Sequence, residues 1–351
     1  MEDPRLTLRE WLISGRVPTP GRPHDAGALL DTATQQGLVG LLADDRLVSD
    51  AWPEPVRDRL RQAARESLVR GTRHLDLAAR AHELLLRHSL RSLPLKGAAV
   101  AETLYDSPAH RPMSDVDLLA IDDPDACLRV LRERGFAWLS GAEHAWALSD
   151  PDTGGCLELH RAVTSCPSLF PLDTEALWQR RAIRPNQVPC APAAADLLLL
   201  LSLHASFQHG LVLTLSQWLD FRRLAERFQP DMDSPQSLAG DPITARALAA
   251  ALLAAEIAVA SPLTADQRAW AEEVLPRGAR AQLARSRTTP RRLLAPAAPS
   301  LARMRWDLAA GSRHRLIWAT LFPMDDDTAL APLTRLARAA RRVCRLAIGR
   351  R

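Results

Sequence analysis

Arg111-Pro112-Met113-Ser114-Asp115-Val116-Asp117-Leu118-Leu119 decides how this chain is read. An apolar run begins there, and two aspartates stand one residue apart at its mouth. In a β-strand, residues i and i+2 point to the same side. Asp115 and Asp117 then aim two carboxylates at one point while Val116 turns into a core. Like charges held that close repel unless a cation lies between them. Hard oxygen ligands paired in this way suit Mg²⁺ or Mn²⁺, usually beside substrate phosphates. Asp-x-Asp also occurs in solvated turns, so the surroundings carry the weight.

The first of these is Leu93-Pro94-Leu95-Lys96-Gly97. The chain has 45 basic residues, and Lys96 is its only lysine. A general drift toward arginine would replace a lysine needed only for charge. A compact ammonium acts on phosphate as a point charge, which a planar guanidinium does not reproduce. The short apolar run ends at Gly97 and a helix follows. That places backbone N–H groups at a helix N-terminus, a natural anion site.

Composition bounds the rest. At 351 residues the chain is long enough for a large core and two or three structural units. Hydrophobic residues make up 47% and charged residues 25%, as in ordinary globular proteins. The net charge of +4 does not argue for nucleic acid. Aromatic residues are scarce, so the interleaved aromatic and basic pattern of a single-strand binder is absent. Nucleic acid is therefore not a favoured partner. Cys127, Cys156, Cys166, Cys190 and Cys344 are odd in number and lack C-x-x-C spacing, which fits reduced thiols. The N-terminus has no apolar signal segment. No stretch reaches the ~18 uncharged apolar residues of a membrane span; the nearest, 247–260, is broken by Glu256. A cytoplasmic location is expected.

The fold class expected is α+β: a small mixed-sheet core embedded between helical regions, predominantly helical overall. Residues 1–88 read as an N-terminal helical region, with helices over 26–42 and 56–88. Residues 89–190 read as the α/β core. Its strands are expected at 92–96, 116–121, 136–139, 144–149 and 156–162, and its helices at 98–105 and 126–134. Residues 191–351 read as a C-terminal helical region, with helices over 193–208, 213–228, 243–260 and 264–275 and a linker at 228–242.

If the core strands are neighbours, a phosphate site at Lys96 and Gly97 adjoins a metal site at Asp115 and Asp117. A third carboxylate is then expected from another strand. Leu157-Glu158-Leu159-His160 offers Glu158, although a charge between leucines also suits an exposed sheet face. His160 shares the face of Glu158, where it either meets a phosphate or caps the sheet edge.

Together, Leu95-Lys96-Gly97, Leu104-Tyr105, the Arg111–Leu119 stretch and Leu157-Glu158-Leu159-His160 resemble the bacterial nucleotidyltransferase family of the DNA polymerase beta-like superfamily. Leu201-Ser202-Leu203-His204-Ala205 and Trp218-Leu219-Asp220 extend the likeness, which covers about 25–230. The resemblance implies transfer of NMP from an NTP substrate to a hydroxyl of a small molecule, peptide or protein, with release of pyrophosphate. It implies Mg²⁺ (or Mn²⁺) as cofactor, with Asp115, Asp117 and Glu158 as metal-binding and catalytic acids. Lys96, Gly97, Arg111, Ser114 and His160 would bind nucleotide or phosphate, with Lys96 or Arg111 neutralising the pyrophosphate. A natural-product peptide or a partner protein is among the acceptors it implies. Two departures stand out. Superfamily enzymes usually carry Gly-Ser shortly before the aspartates, where this chain has Lys96-Gly97. The third acid is glutamate where aspartate is common. A non-catalytic binding domain of the same fold, or a toxin- or antitoxin-type regulator modifying tRNA or a partner, are the alternatives.

Elsewhere, His204 and Gln208 share a helix face but lack a third metal ligand, so they read as hydrogen-bonding residues. The arginine-rich stretch 333–351 reads as one face of a docked helix, with anionic membrane or RNA as the other reading. Asp325-Asp326-Asp327 reads as a helix start.

Overall fold

The computed structural model describes residues 3–18, 23–45, 51–142, 144–164, 169–170, 173–182, 190–228, 239–297 and 301–321. Residues 325–327 and 333–351, most of the 228–242 linker, Cys166 and Cys344 lie outside the described residues. The fold is α+β and mostly helical.

Strands β1 (Ser92–Pro94), β2 (Val116–Ala120), β3 (Ala137–Gly141), β4 (Ala145–Ser149) and β5 (Cys156–His160) form one sheet in the order β1-β2-β5-β4-β3. Strands β2 and β5 are parallel, and the other pairs are antiparallel. Before the sheet come helices α1 (Pro4–Ser14), α2 (Pro23–Gln35), α3 (Val39–Asp44) and α4 (Glu54–Arg87). Helices α5 (Lys96–Leu104) and α6 (Pro124–Glu133) lie between strands, and α7 (Thr174–Arg180) follows them. A helical body completes the chain: α8 (Ala194–Leu203), α9 (Leu215–Phe228), α10 (Pro242–Val259), α11 (Ala265–Val274), α12 (Arg277–Thr288), α13 (Leu301–Leu308) and α14 (Arg313–Leu321).

Local chemistry explains most boundaries. Asp123 caps α6 by accepting from the Asp125 amide at 2.9 Å, and Gly135 just beyond the helix has φ +93°. The apolar periodicity over 26–42 predicts one helix, yet the chain forms two. The break falls at Gly37, which has φ +71°; a Cβ there would lie 2.5 Å from Ser216 Oγ. A helix is also found over Pro4–Ser14, capped by Asp3, where the sequence reading proposed only a general helical region.

Strand β2 is buried along its whole length because both faces are covered. Val116, Leu118 and Ala120 pack against Leu77, Ala78, Ala81 and Leu85 of α4 and against Cys127 and Leu131 of α6. The other face carries Asp117 and Leu119, and Leu119 joins the core built mainly by α8, α9 and α10. The acid of β2 thus faces the side where the helical body stands.

Helix α10 is long and apolar enough to cross a membrane by length and composition, but 78% of it is buried inside the protein. Its alanine-rich surface lets α8, α9 and α11 pack closely around it. It is a core helix, and no clear membrane span is present among the described residues.

One buried histidine of this framework gives an acid-stability prediction. His82 of α4 is 2% exposed, and its Nδ1 lies 2.9 Å from Ser92 Oγ. Burial pushes its pKa down from 6.5 to about 4. The unfolded chain therefore binds a proton that the folded chain refuses. This part of the stability is present above 6.5 and is lost as pH falls toward 4. At pH 5 the loss is about 2 kcal/mol. Denaturant melts at pH 7 and pH 5 should show a smaller pH difference in His82→Asn than in the parent chain; an equal difference refutes the assignment.

Candidate active site

The parallel register of β2 and β5 assembles the acids. Asp117 pairs with Glu158, and Leu119 pairs with His160. Strand β1 brings the lysine from the other side of β2. The Leu95 amide donates to the Asp117 carbonyl at 2.9 Å, extending the β1–β2 ladder to the residue just before α5. Lys96 then turns into the site with φ +45°, a left-handed conformation costly for a side chain of this size. Its Nζ donates to Asp117 Oδ1 at 2.6 Å and lies 3.9 Å from Glu158 Oε2.

His160 is fully buried beneath these groups. Its Nε2 is 2.8 Å from Asp117 Oδ1 and 3.3 Å from Glu158 Oε2, and its Nδ1 is 3.2 Å from the Ala162 carbonyl. Carboxylates and carbonyls only accept, so acceptors at both ring nitrogens favour the protonated ring, against the Lys96 Nζ that lies 3.5 Å from Nε2. Burial alone would lower its pKa, but the bonds to Asp117 and Glu158 outweigh that and raise it. Asp117 shows the complement. Burial works against its charge, yet the Lys96 ammonium and His160 hold its carboxyl below the usual range. Glu158 is likewise lowered, first by its bond to His160.

Asp115 is the odd acid. It precedes β2, has Ser114 Oγ at 3.0 Å as its side-chain hydrogen-bond partner among the described residues, and has its pKa raised by burial and by the neighbouring Asp117 charge. Two anions of the cluster are matched by two cations, and Asp115 is the surplus negative charge. Gly97 follows Lys96; a Cβ there would meet Met113 Cγ at 2.7 Å, so only glycine lets the aspartate loop close on α5.

Arg111 lines the same cleft as Lys96, with its charge engaged by a partner from the helical body. Its guanidinium is buried and forked onto Asp220 of α9, with Nη2–Oδ2 at 2.8 Å and Nε 2.9 Å from both oxygens. Tyr105 donates to the same carboxylate at 2.8 Å. The partner stands 109 residues downstream, which spacing does not reveal. Trp218, two residues earlier, is fully buried and donates to the Leu293 carbonyl at 2.9 Å, a packing role.

Lys96, Arg111, Asp115, Asp117, Glu158 and Asp220 line a cleft of about 570 Å³ between the sheet and the helical body. The opposite wall adds His204, Gln208 and His209, and His144 joins them from the sheet side, its ring 5.5 Å from that of His160; the sequence did not place these residues there. Helix α8 widens into a π-helical turn over His204–Gln208, a feature frequent at functional sites. It brings His204 Nε2 within 2.9 Å of His209 Nε2, and Gln208 within 3.3 Å of His144. Burial pushes His204 well below its ordinary value and lowers His209, so the helical wall is neutral where the facing one is charged; burial also pushes His144 down to about 4. The i, i+4 spacing pairs His204 with Gln208 and misses His209, because only a π turn unites i and i+5.

Asp117, Glu158 and His160 offer ligand atoms within 4.8 Å of one another; a metal ion there would take the two carboxylates, and His160 only after its ring gives up a proton. Carboxylates, an ammonium and a buried imidazolium around one cleft are the equipment of an enzyme that handles phosphate. The chain belongs to the uncharacterised nucleotidyltransferase family, whose model matches residues 22–259. That span contains every residue of the cleft described above. No curated protein matches the chain.

Proposed function

We propose that the cleft catalyses transfer of NMP from an NTP to a hydroxyl acceptor, with pyrophosphate as the leaving group, in a core of the DNA polymerase beta-like superfamily. The observation that carries this reading is the meeting of Asp115, Asp117 and Glu158 with the chain's single lysine in one cleft. The donor set fits a hard divalent cation: its carboxylate oxygens include the surplus charge of Asp115, whose raised pKa marks a carboxylate short of a counter-ion. Asp115, Asp117 and Glu158 would hold Mg²⁺ or Mn²⁺, which supplies charge neutralisation at the α-phosphate and acidity to a bound hydroxyl.

The chain's own residues supply the rest. Glu158, kept ionised by His160, accepts the acceptor's proton. His160 holds Asp117 and Glu158 in orientation through charge-assisted bonds. Lys96, at the start of α5, neutralises triphosphate oxygens and the departing pyrophosphate. The neutral histidine wall across the cleft admits the acceptor without competing for phosphate. Free Cys127, Cys156 and Cys190 accord with a cytoplasmic setting.

Incubation with each α-labelled NTP, Mg²⁺ or Mn²⁺ and cell extract tests the reading. Label transferred in a metal-dependent way supports it, and the labelled species names the acceptor. Lys96→Arg should lower this transfer by about a hundredfold, since a planar fork does not replace a point charge in that space; parental rates in Lys96→Arg refute the role of the lysine. One observation favours a second reading, a nucleotide-binding domain without turnover: the Lys96 ammonium already satisfies Asp117 at 2.6 Å. NTP binding with no label on any species would establish it.

A further inference from the structure

A second cavity, of about 690 Å³, lies behind the active cleft. Arg5, Arg285, Arg291, Arg292 and Arg303 line it. Arg5 is neutralised by Asp3, at 2.6 Å, and Arg303 lies 3.9 Å from Asp307. Arg285, Arg291 and Arg292 are exposed at its rim and form no close ion pair among the described residues, although the charge of Arg291 helps to lower the Asp3 carboxyl. Five guanidiniums, with Asp3 as the lining carboxylate, thus share one concavity. Arg291 and Arg292 are set by the 3₁₀ turn Pro290–Leu293, and Arg285 by the last turn of α12.

The cavity is tied to the cleft by its partition. Gly210, Leu211 and Val212 line the arginine side, while His209, Leu213 and Thr214 line the catalytic side. Gln35 borders both. The partition is held under tension: Leu211 has φ +63°, a conformation its side chain disfavours. It is fastened to the arginine-bearing turn, with the Leu213 amide donating to the Leu293 carbonyl at 3.0 Å. The arginines at 285–303 lie beyond the family-matched span, which ends at 259.

Guanidinium forks match phosphate geometry, and a cavity of this volume suits a small organic ligand better than an extended nucleic-acid strand. We propose that this cavity binds a phosphate group carried by a small-molecule acceptor of the transfer reaction. The link to an acceptor rests on the transferase reading; the anion site does not.

Phenylglyoxal modification, followed by peptide mass spectrometry on the full chain in EDTA without NTP, tests the site directly. Inorganic phosphate and ribose 5-phosphate are the probes, and ribose is the control. Protection of Arg285, Arg291 and Arg292 by about tenfold, with exposed Arg132 and Arg134 unprotected, is the expected result. Arg291→Ala/Arg292→Ala should abolish protection of Arg285 while leaving binding of a fluorescent ATP analogue in Mg²⁺ unchanged. Protection by neither probe, or protection only by a short single-stranded RNA, overturns the proposal. If the arginines are protected but no NTP is ever turned over, the anion site stands and the transferase reading falls.

Discussion

Asp115→Asn will lose NMP transfer by about a thousandfold or more and will melt no lower than the parent chain. The two halves of this result have one cause. Asp115 is the surplus negative charge of the site, and burial beside Asp117 raises its pKa. A carboxyl whose folded pKa lies above its unfolded value costs stability once it is ionised, so at neutral pH its loss brings no penalty. Asp117→Asn will behave differently. It removes the shared acceptor of Lys96 and His160, at 2.6 and 2.8 Å, and leaves a half-buried ammonium and a buried histidine facing an amide. Breaking one side of such a cluster costs about 3–5 kcal/mol, so this variant will lose activity and stability together. Thermal melts beside the labelled-NTP assay separate the two cases. A destabilised Asp115→Asn, or an Asp117→Asn as stable as the parent, contradicts the charge account given above.

Asp220→Ala will destabilise the fold by about 3–5 kcal/mol. Arg111 and Tyr105 both end on this carboxylate, and all three residues are buried. The pair is also the polar seam between the aspartate loop and α9. With Asp220 gone, the guanidinium is left charged and without a partner. Burial already lifts the Asp220 carboxyl above its ordinary range despite Arg111, a sign of how much the pair loses to desolvation. Replacing the whole seam with apolar groups, as Arg111→Met/Asp220→Leu/Tyr105→Phe, should therefore recover most of the loss. Urea melts of the single and triple variants check this. If the triple variant is as unstable as the single one, the cost lies in packing and not in unpaired charge.

The comparison of sequence and structure turns on distance along the chain. Period-two alternation placed Asp117 with Val116 on opposite faces, and the same rule put Glu158 and His160 together. The structure adds the parallel β2–β5 register that brings the two strands side by side. Lys96 was legible because it is the only lysine and ends an apolar run. The partner of Arg111 was not, since nothing local distinguishes Asp220 from a solvent-facing helix acid. The split of the second helix at Gly37 was also hidden: the residue that forbids a Cβ there is Ser216, far away in sequence. The histidine wall depends on a π turn, which has no composition of its own.

The β2–β5 ladder has an evolutionary consequence. Acid spacing is held by hydrogen-bond register, so the chain's tolerance of length change is uneven. One residue inserted within Val116–Ala120 or Cys156–His160 would turn a carboxylate to the far face of the sheet. The turn joining β4 to β5 does not set which residue opposes Asp117, and neither does the outer hairpin that bears exposed Trp138 and Leu139. Lineages are thus free to lengthen, decorate or shorten that rim while the acids at the centre of the sheet keep their address.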